Sequence, residues 1–251
     1  MNIKNSPARI LFSEEGKRFL VRDVNSDFHC QFGFVKALAL KKAKPGSIVK
    51  TNTGKALAVM DAGFIDLYRK LSRAPQIIIL KDIGTIIAET GINSKSRVVD
   101  GGAGSGALAI FLANIADEVT TYEIRKDFIK VVKRNIQQLG IKNLRIRRAD
   151  IIKGIKEKGV DLVTLDIPEP WRALKAVLKA LKPGGFLVCY LPNLNQVSEF
   201  AKAVDQDKAF LRLKTIETIE REWEIDSKRL RPKSQPIGHS GFLTFVRKIG
   251  K

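Results

Sequence analysis

The chain has 251 residues, of which 44% are hydrophobic and 28% charged, a balance that excludes the disordered class and allows one large domain or a catalytic domain with a small appendage. No apolar run approaches the roughly 20 residues of a spanning helix, and the opening MNIKNSPARI lacks the apolar stretch and cleavage site of a secretory signal, so a cytoplasmic protein without membrane contact is expected. A net charge of +19, from 45 Lys and Arg against 26 Asp and Glu, favours a polyanionic partner.

The basic excess is spread along the chain. Runs without acids, such as Lys41 to Lys55 and Lys228 to Lys233, are candidate phosphate contacts, and each also reads as a solvated face. From Phe28 to Leu67, short apolar stretches alternate with turns at Lys44-Pro45-Gly46, Asn52-Thr53-Gly54 and Ala62-Gly63, which predicts a small β-rich unit. A helical or irregular connection from Leu67 to Asp82 follows. The boundary is set near Arg73, giving an N-terminal domain of residues 1–73 and a second domain of residues 74–251. Cys30 and Cys189 sit among apolar neighbours and read as small hydrophobes, with neither a disulfide nor a metal site expected.

Beyond the boundary, strands and helices alternate, the pattern of an α/β fold with a covered parallel sheet. Arg97 to Asp100 is a buried strand, followed by a glycine-rich turn and a helix with Leu108, Phe111, Leu112 and Ile115 on one face. Val119 to Ile124 is the second strand. The next helix carries Phe128, Val131, Val132, Asn135, Ile136 and Leu139 on one stripe and stops at Gly140. Leu144 to Ala149 and Val160 to Leu165 are the third and fourth strands. A helix with Leu174, Val177, Leu178 and Leu181 ends at Lys182-Pro183-Gly184-Gly185, and Phe186 to Leu191 is the fifth strand. Two tail strands, Leu211 to Ile225 and Phe242 to Val246, flank a Pro-rich basic loop and predict an antiparallel edge.

Asp100-Gly101-Gly102-Ala103-Gly104-Ser105-Gly106 follows a strand and opens a helix, so its backbone can approach a nucleotide-like ligand closely. A P-loop is excluded because no Gly-Lys-Ser/Thr follows. The spacing of Gly102, Gly104 and Ala107 also satisfies the dinucleotide fingerprint, which keeps NAD open. Asp100, two residues before Gly102, completes a D-x-G-x-G-x-G pattern that resembles motif I of class I methyltransferases. Glu123 closes the second strand, where a carboxylate can accept ribose hydroxyls, and Asp150 closes the third, where an adenine amino group is read. Acids ending successive strands face one crevice in an open α/β sheet. The cofactor expected there is S-adenosyl-L-methionine, held by Gly102, Gly104, Ser105, Gly106, Ala107, Leu108, Glu123, Ile124, Asp150, Ile151 and Asp166.

Asp166-Ile167-Pro168-Glu169-Pro170-Trp171 closes the fourth strand, and its prolines hold the segment extended. With GAGSGAL, YEIR at Tyr122 to Arg125, LKPGGF at Leu181 to Phe186, and RP followed by HSGFLTFVRK, it resembles the bacterial and archaeal tRNA (adenine-58-N1)-methyltransferases over most of the chain. The resemblance implies a Rossmann-like class I methyltransferase sheet with a small N-terminal β-rich domain, methylation of a T-loop adenine, tRNA as partner, a homotetramer, and Asp166 as the catalytic acidic residue, its carboxylate accepting from the exocyclic amine. Candidate substrate contacts are Arg73, Lys81, Trp171, Arg231 and His239. In one departure, Ile79-Leu80-Lys81-Asp82 replaces the family's Tyr-Pro-Lys-Asp, so the expected aromatic of the adenine pocket is missing. Two competing readings are a methyltransferase acting on protein or a small molecule, as in isoaspartate repair, and a non-catalytic tRNA-binding subunit. Retained cofactor motifs speak against the second, and the basic excess against the first.

Overall fold

The computed structural model of the chain describes residues 8–72, 77–226, 229–235 and 238–250; Arg73 and Lys228 lie outside them. Two compact units divide the chain, residues 1–71 and 72–251.

In the first unit, β1 (Arg9–Ser13), β2 (Arg18–Val21), β3 (Phe28–Cys30), β4 (Gly33–Val35), α1 (Ala37–Lys42), β5 (Ile48–Lys50), β6 (Ala56–Asp61) and α2 (Phe64–Tyr68) follow in order. The sheet runs β2-β1-β6-β5, and β3 pairs with β4 separately. Leu11, Val21, Val35, Leu40, Val49, Leu57 and Val59 form one core on its inner face. The β structure therefore starts at Arg9, earlier than the Phe28 start read from the sequence. Strand β1 buries the adjacent pair Ile10 and Leu11, which breaks the period of two by which a half-buried strand is recognised.

The second unit contains α3 (Leu80–Thr90), β7 (Arg97–Gly101), α4 (Ala107–Ala113), β8 (Glu118–Tyr122), α5 (Lys126–Leu139), β9 (Leu144–Arg147), β10 (Val160–Leu165), α6 (Leu174–Ala180), β11 (Leu181–Leu191), α7 (Leu194–Gln206), β12 (Phe210–Ile216), β13 (Trp223–Ile225), β14 (Leu230–Pro232) and β15 (Phe242–Lys248). Its main sheet has the order β12-β15-β11-β10-β7-β8-β9. Neighbours from β11 to β9 are parallel, and β15 alone runs antiparallel to both its neighbours. Strand order thus reverses between β7 and β10, the point where an open α/β sheet forms its ligand crevice. In that register Gly101 lies beside Leu165, which brings Gly102 and Asp166 together.

Two tail and turn expectations are corrected. Leu211 to Ile225 is no single strand: β12 ends at Ile216, and β13 pairs with β14 as a separate hairpin inside the basic loop. The expected antiparallel edge is formed by β15 and β12, with β12 outermost and β15, carrying four consecutive buried residues, between it and β11. The Lys182 to Gly185 segment does not lie wholly outside the sheet. Leu181 already pairs with Val160, and residues 182–185 form a bulge before Phe186 meets Leu162. Among the described residues no helix is long and apolar enough to cross a membrane. Both cysteines are free; Cys189 is buried and Cys30 half-buried.

Candidate active site at the strand switch point

Backbone proximity dictates the glycines here. A Cβ on Gly102, whose φ is +93°, would lie 2.1 Å from the Asp166 carbonyl oxygen, whereas one on Gly104 would meet nothing within 4 Å and would project into open space. The first position is closed by the β7–β10 approach; the second is left open toward the cleft.

Glu123, nearly fully buried, ties the loop down. One carboxylate oxygen accepts from the Gly104 N–H at 3.0 Å and the other from the Arg125 N–H at 2.9 Å. Asp100 is buried beneath the loop, its oxygens accepting from the Thr121 hydroxyl at 2.6 Å and the Thr164 hydroxyl at 2.8 Å. Burial pushes its pKa up, against those two hydrogen bonds. It braces β8, β7 and β10, and it also walls the smaller hollow beside the cleft. At the ends of β8 and β9, the Tyr122 hydroxyl donates to Glu157 at 2.6 Å, and Arg147 donates to the same carboxylate at 2.7 Å.

A cleft of about 590 Å³ opens above these strand ends, lined among others by Gly102, Gly104, Glu123, Ile124, Asp150, Ile151 and Asp166. A smaller hollow adjoins it, walled by Ile77, Ile78, Asp100, Ser105, Ala107, Leu108 and Asp166 with Gly102 and Gly104. Gly106 lines neither; it precedes α4 and packs on Val132. Asp150 both lines the cleft and caps the short 3-10 turn Ile151–Lys153, accepting from the Ile152 N–H at 3.0 Å. Phe128, read from the sequence as core, lines the cleft with the Arg125 guanidinium 3.8 Å over its ring.

Asp166 opens to solvent through the cleft, yet its carboxyl sits in a concavity with few polar partners. Desolvation, reinforced by the charge of Asp100, pushes its pKa up to about 7. The sequence reading overlooked Tyr190, at the carboxyl end of β11. Its hydroxyl donates to the Ser240 carbonyl, and burial, with the charges of Asp82 and Asp166, pushes its pKa up to about 12.

The substrate candidates are dispersed. Lys81 is nearly buried and committed, donating to Asp82 and to the Ser240 hydroxyl at 2.7 Å each, while that hydroxyl donates to Asp82 at 2.8 Å. Trp171 packs half-buried against the core beneath β10 and β11. Arg231 lies on the β13–β14 hairpin and pairs with Glu224 at 3.1 Å. Arg229 and Lys233 likewise have carboxylate partners in that loop. In the other basic run, Lys55 pairs with Glu15, while Lys41, Lys42, Lys44 and Lys50 are exposed and have no ion pair among the described residues. No group of three or more His, Cys, Asp or Glu that could hold a metal occurs among the described residues.

His239 has acceptors on both ring nitrogens, Glu217 at 2.5 Å and the Pro192 carbonyl at 2.9 Å. The Glu217 hydrogen bond, with that of Pro192, raises its pKa above the ordinary 6.5. An NMR titration should therefore find His239 above 6.5, and Glu217→Gln should bring it back down. Its stabilising contribution is complete below the unfolded-state pKa and is lost as pH rises through the folded one. A His239 titration unmoved by Glu217→Gln would remove this account.

Residues 67–237 match the family described as tRNA methyltransferase complex GCD14 subunit. The chain is 32% identical to the tRNA (adenine(57)-N(1)/adenine(58)-N(1))-methyltransferase TrmI of Methanocaldococcus jannaschii, over 95% of this chain and 94% of that one. Among solved structures, a SAM-dependent O-methyltransferase from Thermotoga maritima matches at TM-score 0.89 and 29% identity, covering 99% of this chain and 95% of the other. The tRNA (m1A58) methyltransferase TrmI from Aquifex aeolicus matches at TM-score 0.83 and 27% identity over the whole of both chains.

Proposed function

The chain belongs to the tRNA methyltransferase complex GCD14 subunit family, and on that premise we propose that it transfers a methyl group from S-adenosylmethionine to N1 of the T-loop adenine 58 of tRNA. The observation that carries this reading is one cleft bordered by Glu123, Asp150 and Asp166 at the ends of three strands.

The residues present fit the donor. Ser105 Oγ is buried with no hydrogen-bond partner among the described residues, beside the smaller hollow. The open side of Gly104 leaves room for a ligand against the backbone. Glu123 and Asp150 retain lone pairs for sugar hydroxyls and a base amine, and the exposed Ile124 and the Phe128 ring offer apolar surface for a purine. When bound, S-adenosylmethionine supplies a methyl group activated by a cationic sulfur.

Asp166 works on the acceptor. As adenine N1 attacks, the ring becomes cationic, and a carboxylate accepting from the exocyclic amine stabilises that charge. No proton has to leave N1. Holding the two reactants in line contributes much of the remaining acceleration. The target base must leave its stack at a cost of a few kcal/mol, and Trp171 packs under the loop that would receive it.

We assign catalysis to residues 74–251, with residues 1–73 as an appended β-rich domain. Lys81 and His239 would hold the 238–240 segment beside the site, with Arg73, Arg231 and the exposed Lys41, Lys42, Lys44 and Lys50 meeting phosphates. A cytoplasmic homotetramer completes the proposal. Unmodified tRNA incubated with labelled donor and digested to nucleosides should yield 1-methyladenosine. Label found only in another nucleoside, or in none across tRNAs bearing that adenine, would overturn the reading.

A further inference from the structure

Helix α5 turns an apolar stripe inward, and one member of it is polar. Asn135 has no exposed surface. Its Oδ1 accepts from the Ser72 N–H at 3.1 Å, and its Nδ2 donates to the Ser72 carbonyl at 2.9 Å and to the Ser105 carbonyl at 2.9 Å. Both donors and the acceptor of the amide are therefore engaged.

Packing alone does not call for this residue. A leucine fills a helix stripe without the desolvation cost that a buried amide must offset by its hydrogen bonds. What the amide adds is fixed geometry between two stretches of backbone. One is Ser72, where the second unit begins; the other is Ser105, inside the glycine loop and flanked by Gly104 and Gly106. With its carbonyl held by Asn135, Ser105 has its hydroxyl beside the smaller hollow.

We propose that Asn135 is a positioning residue for the methyl donor, fixing the glycine loop at Ser105 against the backbone of Ser72 so that the Ser105 hydroxyl is set for binding. The inference rests on the reading that these hollows hold S-adenosylmethionine. It assigns Asn135 to donor affinity, with no part in recognising tRNA.

The test uses the full chain with Asn135→Leu, Asn135→Asp and Asn135→Ser. The aspartate keeps the acceptor for the Ser72 N–H and loses both donors; the serine is the milder variant should the others fail to fold. The Kd for S-adenosylhomocysteine by calorimetry and the KM for S-adenosylmethionine should rise ~10- to 100-fold, the scale of one or two lost buried hydrogen bonds. The KM for tRNA should stay within about twofold, since no phosphate or base contact is removed. Val204→Ala, a buried change in α7, serves as control: it should lower the melting temperature and leave Kd unchanged. If the Asn135 variants melt lower like the control but bind S-adenosylhomocysteine with wild-type Kd, Asn135 is only a structural residue and the proposal falls. If the wild-type chain itself binds none, the donor reading falls and takes this inference with it.

Discussion

Replacing Asp166 with alanine is expected to lower kcat/KM for tRNA about 10²- to 10³-fold, the scale found on removing one group aimed at developing charge. S-adenosylhomocysteine should still bind, because Glu123, Asp150 and the glycine loop are untouched. The pH profile gives the sharper test. Asp166 has its pKa pushed up to about 7, by desolvation first and the charge of Asp100 second. Only the ionised form is a full acceptor for the exocyclic amine. The profile of kcat/KM, which reports groups of the free enzyme, should therefore climb as pH rises toward 7 and level off above it. In Asp166→Asn the rate should be low and this limb absent. A limb of unchanged midpoint in the asparagine variant would transfer the titration to another group and remove Asp166 from the chemistry.

Gly102→Ala should be strongly destabilising. The added Cβ would lie 2.1 Å from the Asp166 carbonyl oxygen and 2.9 Å from its carbon, at a φ of +93°. Neither contact is the end of a flexible side chain. Either β7 and β10 separate or the loop is rebuilt, and overpacking with backbone strain together costs about 2–6 kcal/mol. In a unit of this size that corresponds to a fall in Tm of roughly 5–20 °C. Gly104→Ala is the paired experiment. Its Cβ meets nothing, so stability should fall by only about 1 kcal/mol for the left-handed backbone, while the methyl enters the cleft and weakens S-adenosylhomocysteine about tenfold or more. A Gly102→Ala protein that melts like wild type would show that the two strand ends are not held at this separation.

The contrast between these glycines illustrates what a sequence conceals. In the motif they are equivalent letters, yet Gly102 is required by a neighbouring strand and Gly104 borders open space. Phe128 and Asn135 make the same point on one helix. Both fall on the stripe that periodicity assigns to the core, but one lines the cleft and the other is a three-bonded clamp. The only warning in the sequence was an amide among apolar residues. Asp100 stood out in the sequence only as the acid that opens the glycine pattern. It is braced by Thr121 and Thr164, which lie 21 and 64 residues away, separations at which no local pattern carries information. Lys81, a candidate substrate contact by its motif, is held by Ser240, which lies 159 residues further on.

Local chemistry was enough for the parts that are themselves local. Short apolar runs ending in Asp100, Glu123, Asp150 and Asp166 announced parallel strands with acids at their carboxyl ends, and Gly140 announced the end of α5. The alternation of strand and helix was likewise written in the order of residues. Tertiary structure alone decided the order of strands, the interior place of β15, the β13–β14 hairpin with its exposed Trp223 and Ile225, and which side chains meet above the sheet. Periodicity reports only whether a residue faces in or out. Which distant segment it then touches is settled by pairing and packing across the whole chain, and that is where the pKa of Asp166 and the closeness of Gly102 arise.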